Sequence, residues 1–432
     1  MNLFEKIKSK TAVLGVVGLG YVGLPLAVEK AKAGYKTIGF DVQKQKVNMV
    51  NEGVNYIGDV VNEDLKELVE EGFLKATTNF EEVAKADCVC ICVPTPLDKY
   101  QQPDISYVKK SAESILPYLH KDMLIVLEST TYPGTTEELL KPIFESTGFK
   151  CGKDFYLAFS PERVDPGNLR YKTKNTPKVV GGITSQCTSL AATMYENILE
   201  APIHQVSSPA VAEMEKILEN TYRNINIGLV NELAILCNKM NINIWEVIDA
   251  AKTKPYGFQA FYPGPGLGGH CIPLDPYYLS WKAREFGFHT SMIESSMMIN
   301  DRMPEYCVER VGKILNRFSK AIKDSKILLS GIAYKQDIDD YRESPALNVF
   351  ELLFNLGAKI EYYDPYISDI KTKFGNFKSI ENLSDIKDYD LVIITTAHTK
   401  IDYDFIQNNA NFVFDTKNAM KKVSDRINIE LL

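Results

Sequence analysis

Between Thr11 and Asp41 the chain passes from an apolar run through a glycine-rich turn, VVGLGYVG, into an amphipathic stretch and then a second apolar run, TIGFD, that ends in an acid. This is the pattern of a strand, a helix and a second strand, and it commits the start of the chain to an α/β sheet. Gly18, Gly20 and Gly23 fit the spacing GxGxxG. In that spacing the first glycine permits a tight turn, the second admits a pyrophosphate to the backbone, and the third lets helix and strand pack closely. Asp41 is expected to accept hydrogen bonds from an adenosine ribose and to repel a 2′-phosphate, which favours NAD over NADP. Lys44 and Lys46, just beyond it, keep NADP open, and a plain turn at Asp41 is the bland alternative.

Further strands are predicted at 88–93, 123–129 and 178–182, separated by helical stretches, so the first 200 or so residues read as a doubly wound sheet. From Val211 an apolar series runs through Met214, Leu218, Tyr222, Ile225, Leu229, Leu233, Leu236 and Met240 in steps of three and four, without a proline. One helix explains it, roughly 30 residues and about 45 Å long. A smaller helical region follows to about residue 318, and the last third repeats the opening theme: KILLSGIAY, a helix around 346–356, IEYYD ending in Asp364, then YDLVIITTAH. The expected fold is α/β, with two Rossmann-like doubly wound domains joined by a long central helix and a small all-α domain: 1–205, 206–318 and 319–432.

Composition narrows the partners. A net charge of −7 without long like-charge blocks argues against a polynucleotide, whose phosphates demand a clustered cationic surface. No apolar run reaches the roughly 18 residues that span a bilayer, and Met1 to Thr11 is charged, which predicts a cytoplasmic chain with no membrane partner. Of the eight cysteines, Cys88, Cys90 and Cys92 alternate along one apolar strand and the others stand far apart, so buried thiols are expected for most and no metal site is predicted.

Cys271 is different. The segment YPGPGLGGHCIPLDP (262–276) crowds glycines and prolines before it, removing side chains where a ligand needs room and stiffening the support, with Asp275 four residues on. A thiolate near a nicotinamide can add to an aldehyde, giving a thiohemiacetal that surrenders a second hydride. On the long helix Lys216 and Asn220 share one side, turned away from the apolar stripe, and Asn224, Gly228 and Asn231 extend it with few charges. A solvated face is the alternative there. The loops ESTTYPGTTEE (128–138) and SPERVDPG (160–167) should follow strands at the ligand-binding edge, which makes Thr130 and Glu162 candidates against ordinary turn chemistry.

Taken in order, VVGLGYVGLPLA, CVPTP, ESTTYPGTTEE, SPER, EKILENTYRNINIGLVNE, GPGLGGHCIPLDP and GIAYKQDIDDYRESPA resemble the UDP-glucose/GDP-mannose dehydrogenase family over nearly the whole chain. The resemblance implies NAD on the first Rossmann domain, contacting Gly18, Leu19, Gly20, Tyr21, Val22, Gly23, Asp41, Pro94, Thr95, Thr130 and Arg342. It implies a UDP-sugar held by Glu162, Arg163, Val164, Lys216, Asn220, Tyr262, Gly268 and Lys335. Cys271 matches the family nucleophile, Lys216 and Asn220 the pair that stabilises the oxyanion, Asp275 the acid beside the cysteine, and Thr130 and Glu162 the groups that handle the proton or the water.

Within that family the chain is most similar to the UDP-N-acetylglucosamine 6-dehydrogenases, through PTPLDKYQQPD, SPERVDPGN and GGHCIP, although Pro166 stands where that branch often carries an acid. The expected reaction is a four-electron oxidation of a UDP-N-acetylhexosamine to its uronic acid for surface polysaccharide synthesis. UDP-glucose and the galactosamine and mannosamine epimers are the alternatives. A two-electron dehydrogenase of the 6-phosphogluconate or hydroxyacid type, or a non-catalytic nucleotide-binding protein, are the more distant ones. A homodimer or higher homo-oligomer is expected if the long helix exposes a second apolar strip.

Overall fold

The first sheet is built from strands buried on both faces at its centre and partly exposed at its two edges. These are β1 (Leu14–Val17), β2 (Thr37–Phe40), β3 (Leu74–Thr77), β4 (Cys88–Ile91), β5 (Leu124–Leu127), β6 (Tyr156–Phe159), β7 (Lys178–Gly182) and β8 (Ile203–Val206), in the order β3-β2-β1-β4-β5-β6-β7-β8. Side chains alternate between faces along β4: Cys88 and Cys90 enter one core with Leu14, Val16, Leu124 and Val126, while Val89 and Ile91 enter the other with Ile125 and Leu127. Continuous apolar runs of this kind belong to parallel strands covered by helices on both sides. The computed structural model describes residues 1–58, 60–165, 168, 170–269 and 271–432, so Pro166 lies outside the described residues.

Strands β1 to β6 pair in parallel, which makes this the doubly wound sheet expected of the first 200 or so residues. The strand predicted at 178–182 forms, but it runs antiparallel to β6, with Ala158 opposite Gly182 and Phe159 opposite Gly181, and β8 then follows it in parallel. Strand direction is a tertiary property that apolar periodicity does not encode. Strands β3, β6 and β8 were not anticipated; β3 and β8 carry polar residues at alternate positions or along the edge, which weakens their apolar signal.

The chain divides into two units, Met1–Glu219 with Tyr277–Phe288, and Asn220–Pro276 with His289–Leu432. In the second, β9 (Lys326–Ser330), β10 (Lys359–Tyr363), β13 (Leu391–Ile394), β14 (Val413–Asp415) and β15 (Ile429–Leu431) make a parallel sheet in the order β10-β9-β13-β14-β15, beside a hairpin of β11 (Asp369–Thr372) and β12 (Gly375–Lys378). The helix predicted around 346–356 is Pro345–Asn355, capped by the Ser344 hydroxyl accepting from the Ala346 amide. Val349, Phe350 and Leu353 on it are buried against Ile327 and Leu329 of β9, and each side chain of that size withdrawn from water contributes about 1.5–3 kcal/mol.

The long helix spans Pro209–Lys239, and Ile244–Ala251, Cys271–Ala283 and Ser291–Arg317 complete the helical middle. Its two sides are used the opposite way from a helix packed by its apolar stripe. Val211, Met214, Leu218, Tyr222, Leu229, Leu233, Leu236 and Met240 are exposed, whereas Lys216, Asn220, Asn224 and Asn231 are buried. The polar side is the inward one because its amides find partners there. Among the described residues no helix is long and apolar enough to cross a membrane.

Candidate functional site

At the carboxyl end of β1 the three motif glycines meet three different surroundings. A Cβ at Gly18, whose φ is +90°, would lie 2.5 Å from the Cys92 carbonyl oxygen, and one at Gly23 would lie 1.8 Å from the Gly18 carbonyl oxygen, whereas one at Gly20 would meet nothing within 4 Å. The first and third are therefore demanded by packing and the second opens the backbone to a ligand. Helix Gly23–Lys32 begins there with Val22 before it, so the positive end of its dipole lies at the turn.

Asp41 closes β2 and holds this turn: its Oδ2 accepts from the Leu19 amide at 2.9 Å and its Oδ1 from the Gln43 amide at 2.8 Å. The Tyr56 hydroxyl donates to the Leu19 carbonyl at 2.7 Å. Each carboxylate oxygen keeps a second lone pair, so Asp41 can still accept from a ribose hydroxyl. Open backbone at Gly20 together with an acid fixed one strand away fits a dinucleotide, and when bound NAD supplies the hydride acceptor. Tyr21 stands half exposed beside the turn and Pro94 is exposed after β4. Thr95 is buried, its hydroxyl donating to the Thr130 carbonyl at 2.7 Å, which ties the loops after β4 and β5 together. The Tyr278 hydroxyl donates to the Thr95 carbonyl.

The loop carrying Thr130 is anchored by a residue the sequence did not suggest. Glu213, fully buried on the long helix, accepts from the Gly134 amide at 2.6 Å, the Thr136 amide at 2.9 Å and the Thr136 hydroxyl at 2.7 Å. Burial pushes its pKa up, and those three donors pull against the rise. After β6, Glu162 turns one oxygen onto its own chain, where Oε1 accepts from the Arg163 and Val164 amides at 2.8 Å each. Arg163 donates to the Glu219 carboxylate and to the Pro177 carbonyl at 3.0 Å.

In the second unit the buried side of the long helix meets the cysteine segment. The Asn220 amide donates to Asp275 Oδ2 at 2.5 Å, and Asn224 donates to the Ile272 carbonyl at 3.1 Å, while Asn231 accepts from the Gly264 amide at 3.0 Å. Helix Ser291–Arg317 braces the same asparagines: Ser296 donates to Asn224 Oδ1 at 2.8 Å, and Asn231 donates to Asn300 Oδ1 at 2.9 Å. A Cβ at Gly228 would lie 3.0 Å from the Cβ of Ser296, so the helices can approach this closely only over glycine. Cys271 is the first residue of helix Cys271–Ala283, half-buried, where amide groups and the helix dipole favour negative charge.

Gly268 belongs to close packing: a Cβ there would lie 2.7 Å from the Cβ of Tyr334 and 2.8 Å from Pro345 Cδ. The loop of Tyr334, Lys335 and Arg342 is thereby set against the cysteine segment. That loop is itself pinned by Asp364, at the end of β10, whose Oδ2 accepts from the Ile332 amide at 2.7 Å, the Ala333 amide at 3.1 Å and the buried His398 ring at 3.0 Å. Two further predicted contacts have partners of their own. Arg342 is exposed and grips Asp340 through Nε at 2.9 Å, and Tyr262 stacks on Trp245 with its hydroxyl 3.3 Å from Asp249.

A glycine-rich phosphate turn on one doubly wound sheet, with a second Rossmann-like sheet and a cysteine-bearing helix, defines a nucleotide-dependent dehydrogenase. The chain belongs to the UDP-glucose/GDP-mannose dehydrogenase family: residues 12–199 match its NAD binding domain, 210–302 its central domain and 328–422 its UDP binding domain. It is an NAD-dependent UDP-sugar dehydrogenase. It is 36% identical to the UDP-N-acetyl-D-glucosamine 6-dehydrogenase of Pseudomonas aeruginosa over 90% of this chain and 92% of that one. The solved UDP-D-ManNAc dehydrogenase of Pyrococcus horikoshii superposes with a TM-score of 0.89 at 31% identity, covering 97% of this chain and 98% of its own. The native UDP-N-acetyl-mannosamine dehydrogenase Cap5O of Staphylococcus aureus gives 0.83 at 34% identity, covering 97% of each chain.

The surroundings of the motif glycines separate a ligand effect from a folding effect. Gly20→Ala is expected to unfold with the wild-type denaturant midpoint while NAD affinity, read by titration calorimetry, falls at least about tenfold, or roughly 1.4 kcal/mol. Gly23→Ala should instead lower the midpoint itself, because its Cβ would meet backbone that cannot move aside.

Proposed function

We propose that this enzyme oxidises a UDP-N-acetylhexosamine, foremost UDP-N-acetylglucosamine, at its 6-hydroxyl to the uronic acid. One alcohol, two NAD and one water give one carboxylate, two NADH and three protons. The observation that carries the reading is Cys271 at a helix start, with Asp275 one turn on in the grip of the buried Asn220 amide. That is a nucleophile on a rigid support beside fixed polar groups, the arrangement covalent aldehyde capture requires.

In this reading Thr130 and Glu162 handle the proton lost from the alcohol and the water that enters last. Cys271 Sγ adds to the aldehyde carbon and forms the thiohemiacetal, and loss of the second hydride leaves a thioester. Lys216 and Asn220 stabilise the oxyanion of each tetrahedral species, a contribution of about 2.7–4 kcal/mol per donor in comparable sites. Water then releases the acid and returns the thiolate. Gly18 to Gly23, Asp41, Pro94, Thr95 and Arg342 serve the cofactor; Arg163, Val164, Tyr262, Gly268 and Lys335 serve the UDP-sugar. The segments 1–205, 206–318 and 319–432 are read as cofactor, catalytic and UDP-sugar domains, in a cytoplasmic enzyme whose product enters surface polysaccharide.

The mannosamine epimer is the second reading, favoured by the two structural neighbours that carry that name. A panel of UDP-glucose and the N-acetylated gluco, galacto and manno substrates, each limiting, should give two NADH per sugar with the preferred one; one NADH and a free aldehyde would overturn the four-electron reaction. Cys271→Ala is expected to abolish acid formation, by at least about 10³-fold, with NAD binding retained.

The exposed stripe of the long helix is read as the seat of a second copy, since an apolar surface of this extent on a monomer marks an interface. Light scattering should then show a homo-oligomer for the wild type and a smaller species for Leu229→Glu/Leu233→Glu, both positions being exposed.

A further inference from the structure

A buried lysine at the start of β7 has no part in the reaction as described. Because β7 runs against β6, its first residue returns to the edge where the parallel strands end, beside the segment that leaves β6. Lys178 is buried there, with Nζ 2.7 Å from Glu128 Oε2, 3.1 Å from the Pro161 carbonyl oxygen and 3.7 Å from Glu162 Oε2. Behind it the polar groups continue inward. The Tyr195 hydroxyl donates to Glu128 Oε1 at 2.5 Å and lies 3.7 Å from Cys90 Sγ, which Lys30 Nζ approaches to 2.8 Å. Lys30, Cys90, Tyr195 and Glu128 are all buried, so among the described residues the chain of contacts is most open to solvent at Glu162, whose side chain is 15% exposed.

The geometry leaves the two oxygens of Glu162 with different duties. Oε1 is taken by the amides of Arg163 and Val164, and Oε2 faces Lys178. Lys178 thus stands as one cation between two carboxylates. Without it, Glu128 and Glu162 would face one another across a buried space, where like charges cannot both ionise cheaply and a proton would be taken up by one of them. Burial pulls the Lys178 ammonium toward its neutral form, but Glu128 first and then Glu162 hold its pKa above the ordinary value, so it stays charged at any working pH.

We propose that Lys178 is a positioning residue for the reaction: from between Glu128 and Glu162 it offsets the charge of one carboxylate against the other and holds Glu162 turned in one direction, ready to accept a proton. This rests on the reading of Glu162 as a proton-handling group. Glu128 and Tyr195 fix Lys178 in turn.

The test uses the full-length enzyme, NAD and the UDP-sugar with the highest turnover in the panel above. Lys178→Met should lower kcat by about 10- to 100-fold, leave KM for the sugar within about threefold, and move the acid limb of the kcat/KM profile up by about one pH unit or more. Lys178→Met/Glu128→Gln removes the second carboxylate along with the cation and should bring that limb back toward the wild type; Lys178→Arg should keep it. A structural role alone would lower activity without moving the limb, and an unmoved limb in Lys178→Met overturns the proposal. If the single variant does not fold, the double variant and Lys178→Arg carry the test: a displaced limb in both overturns it. Glu162→Gln separates the two readings, since wild-type turnover in that variant would sink the role of Glu162 itself, while lost turnover with an unmoved limb in Lys178→Met would sink only the role of Lys178.

Discussion

The placement of the cysteine segment in the second unit depends on the buried asparagine side of the long helix. Asn220, Asn224 and Asn231 bury side-chain amides that together reach Asp275, the Ile272 carbonyl and the Gly264 amide. An amide stranded in a dry interior without a partner costs about 1–3 kcal/mol, so the helix and the cysteine segment are held to the one arrangement that satisfies all three. Ser296 and Asn300 bond Asn224 and Asn231 from the other side. Turning these amides inward leaves the leucines and methionines of the same helix on the outside. Their exposure is a consequence of that inward turn.

The two sheets use one device twice. In each, an acid at the end of the second strand receives backbone amides from the turn after the first: Asp41 from Leu19, and Asp364 from Ile332 and Ala333. A carboxylate that accepts several amides fixes a loop more firmly than neutral partners could, because charge-assisted hydrogen bonds are roughly twice as strong as neutral ones. The turns differ in what lies above them. The first keeps open backbone at Gly20, whereas the second leads into the loop that packs on Gly268.

The first unit also shows how charge is carried inside a core. Glu213, Glu128, Lys178 and Lys30 are all buried, and each is met by amides, by an opposite charge or by a polarisable sulfur. Buried charges of this kind add little net stability compared with apolar residues of the same volume, but removing one partner is strongly destabilising. They specify geometry, and they cluster beside the loops of Thr130 and Glu162, where a reaction would need atoms held still.

Much of this molecule was legible in the chain. GxGxxG between two apolar runs marked the opening strand, helix and strand and, with the apolar runs that follow, a doubly wound sheet, because a glycine turn at that spacing joins a strand to the helix that crosses to the next. The seven motifs in order determined the family, and the glycine-proline segment by itself singled out Cys271. Tertiary structure decided the rest. The apolar series on the long helix predicted a helix correctly but not which side is buried, since burial follows from where polar groups find partners and not from apolarity alone. The reversal of β7 brings Lys178 to Glu128, 50 positions earlier, and to Glu162, 16 positions earlier, a meeting that no local pattern encodes. Glu213 was invisible for the same reason: a glutamate on a helix reads as solvated until the loop that needs its charge, 77 to 79 residues earlier, folds over it.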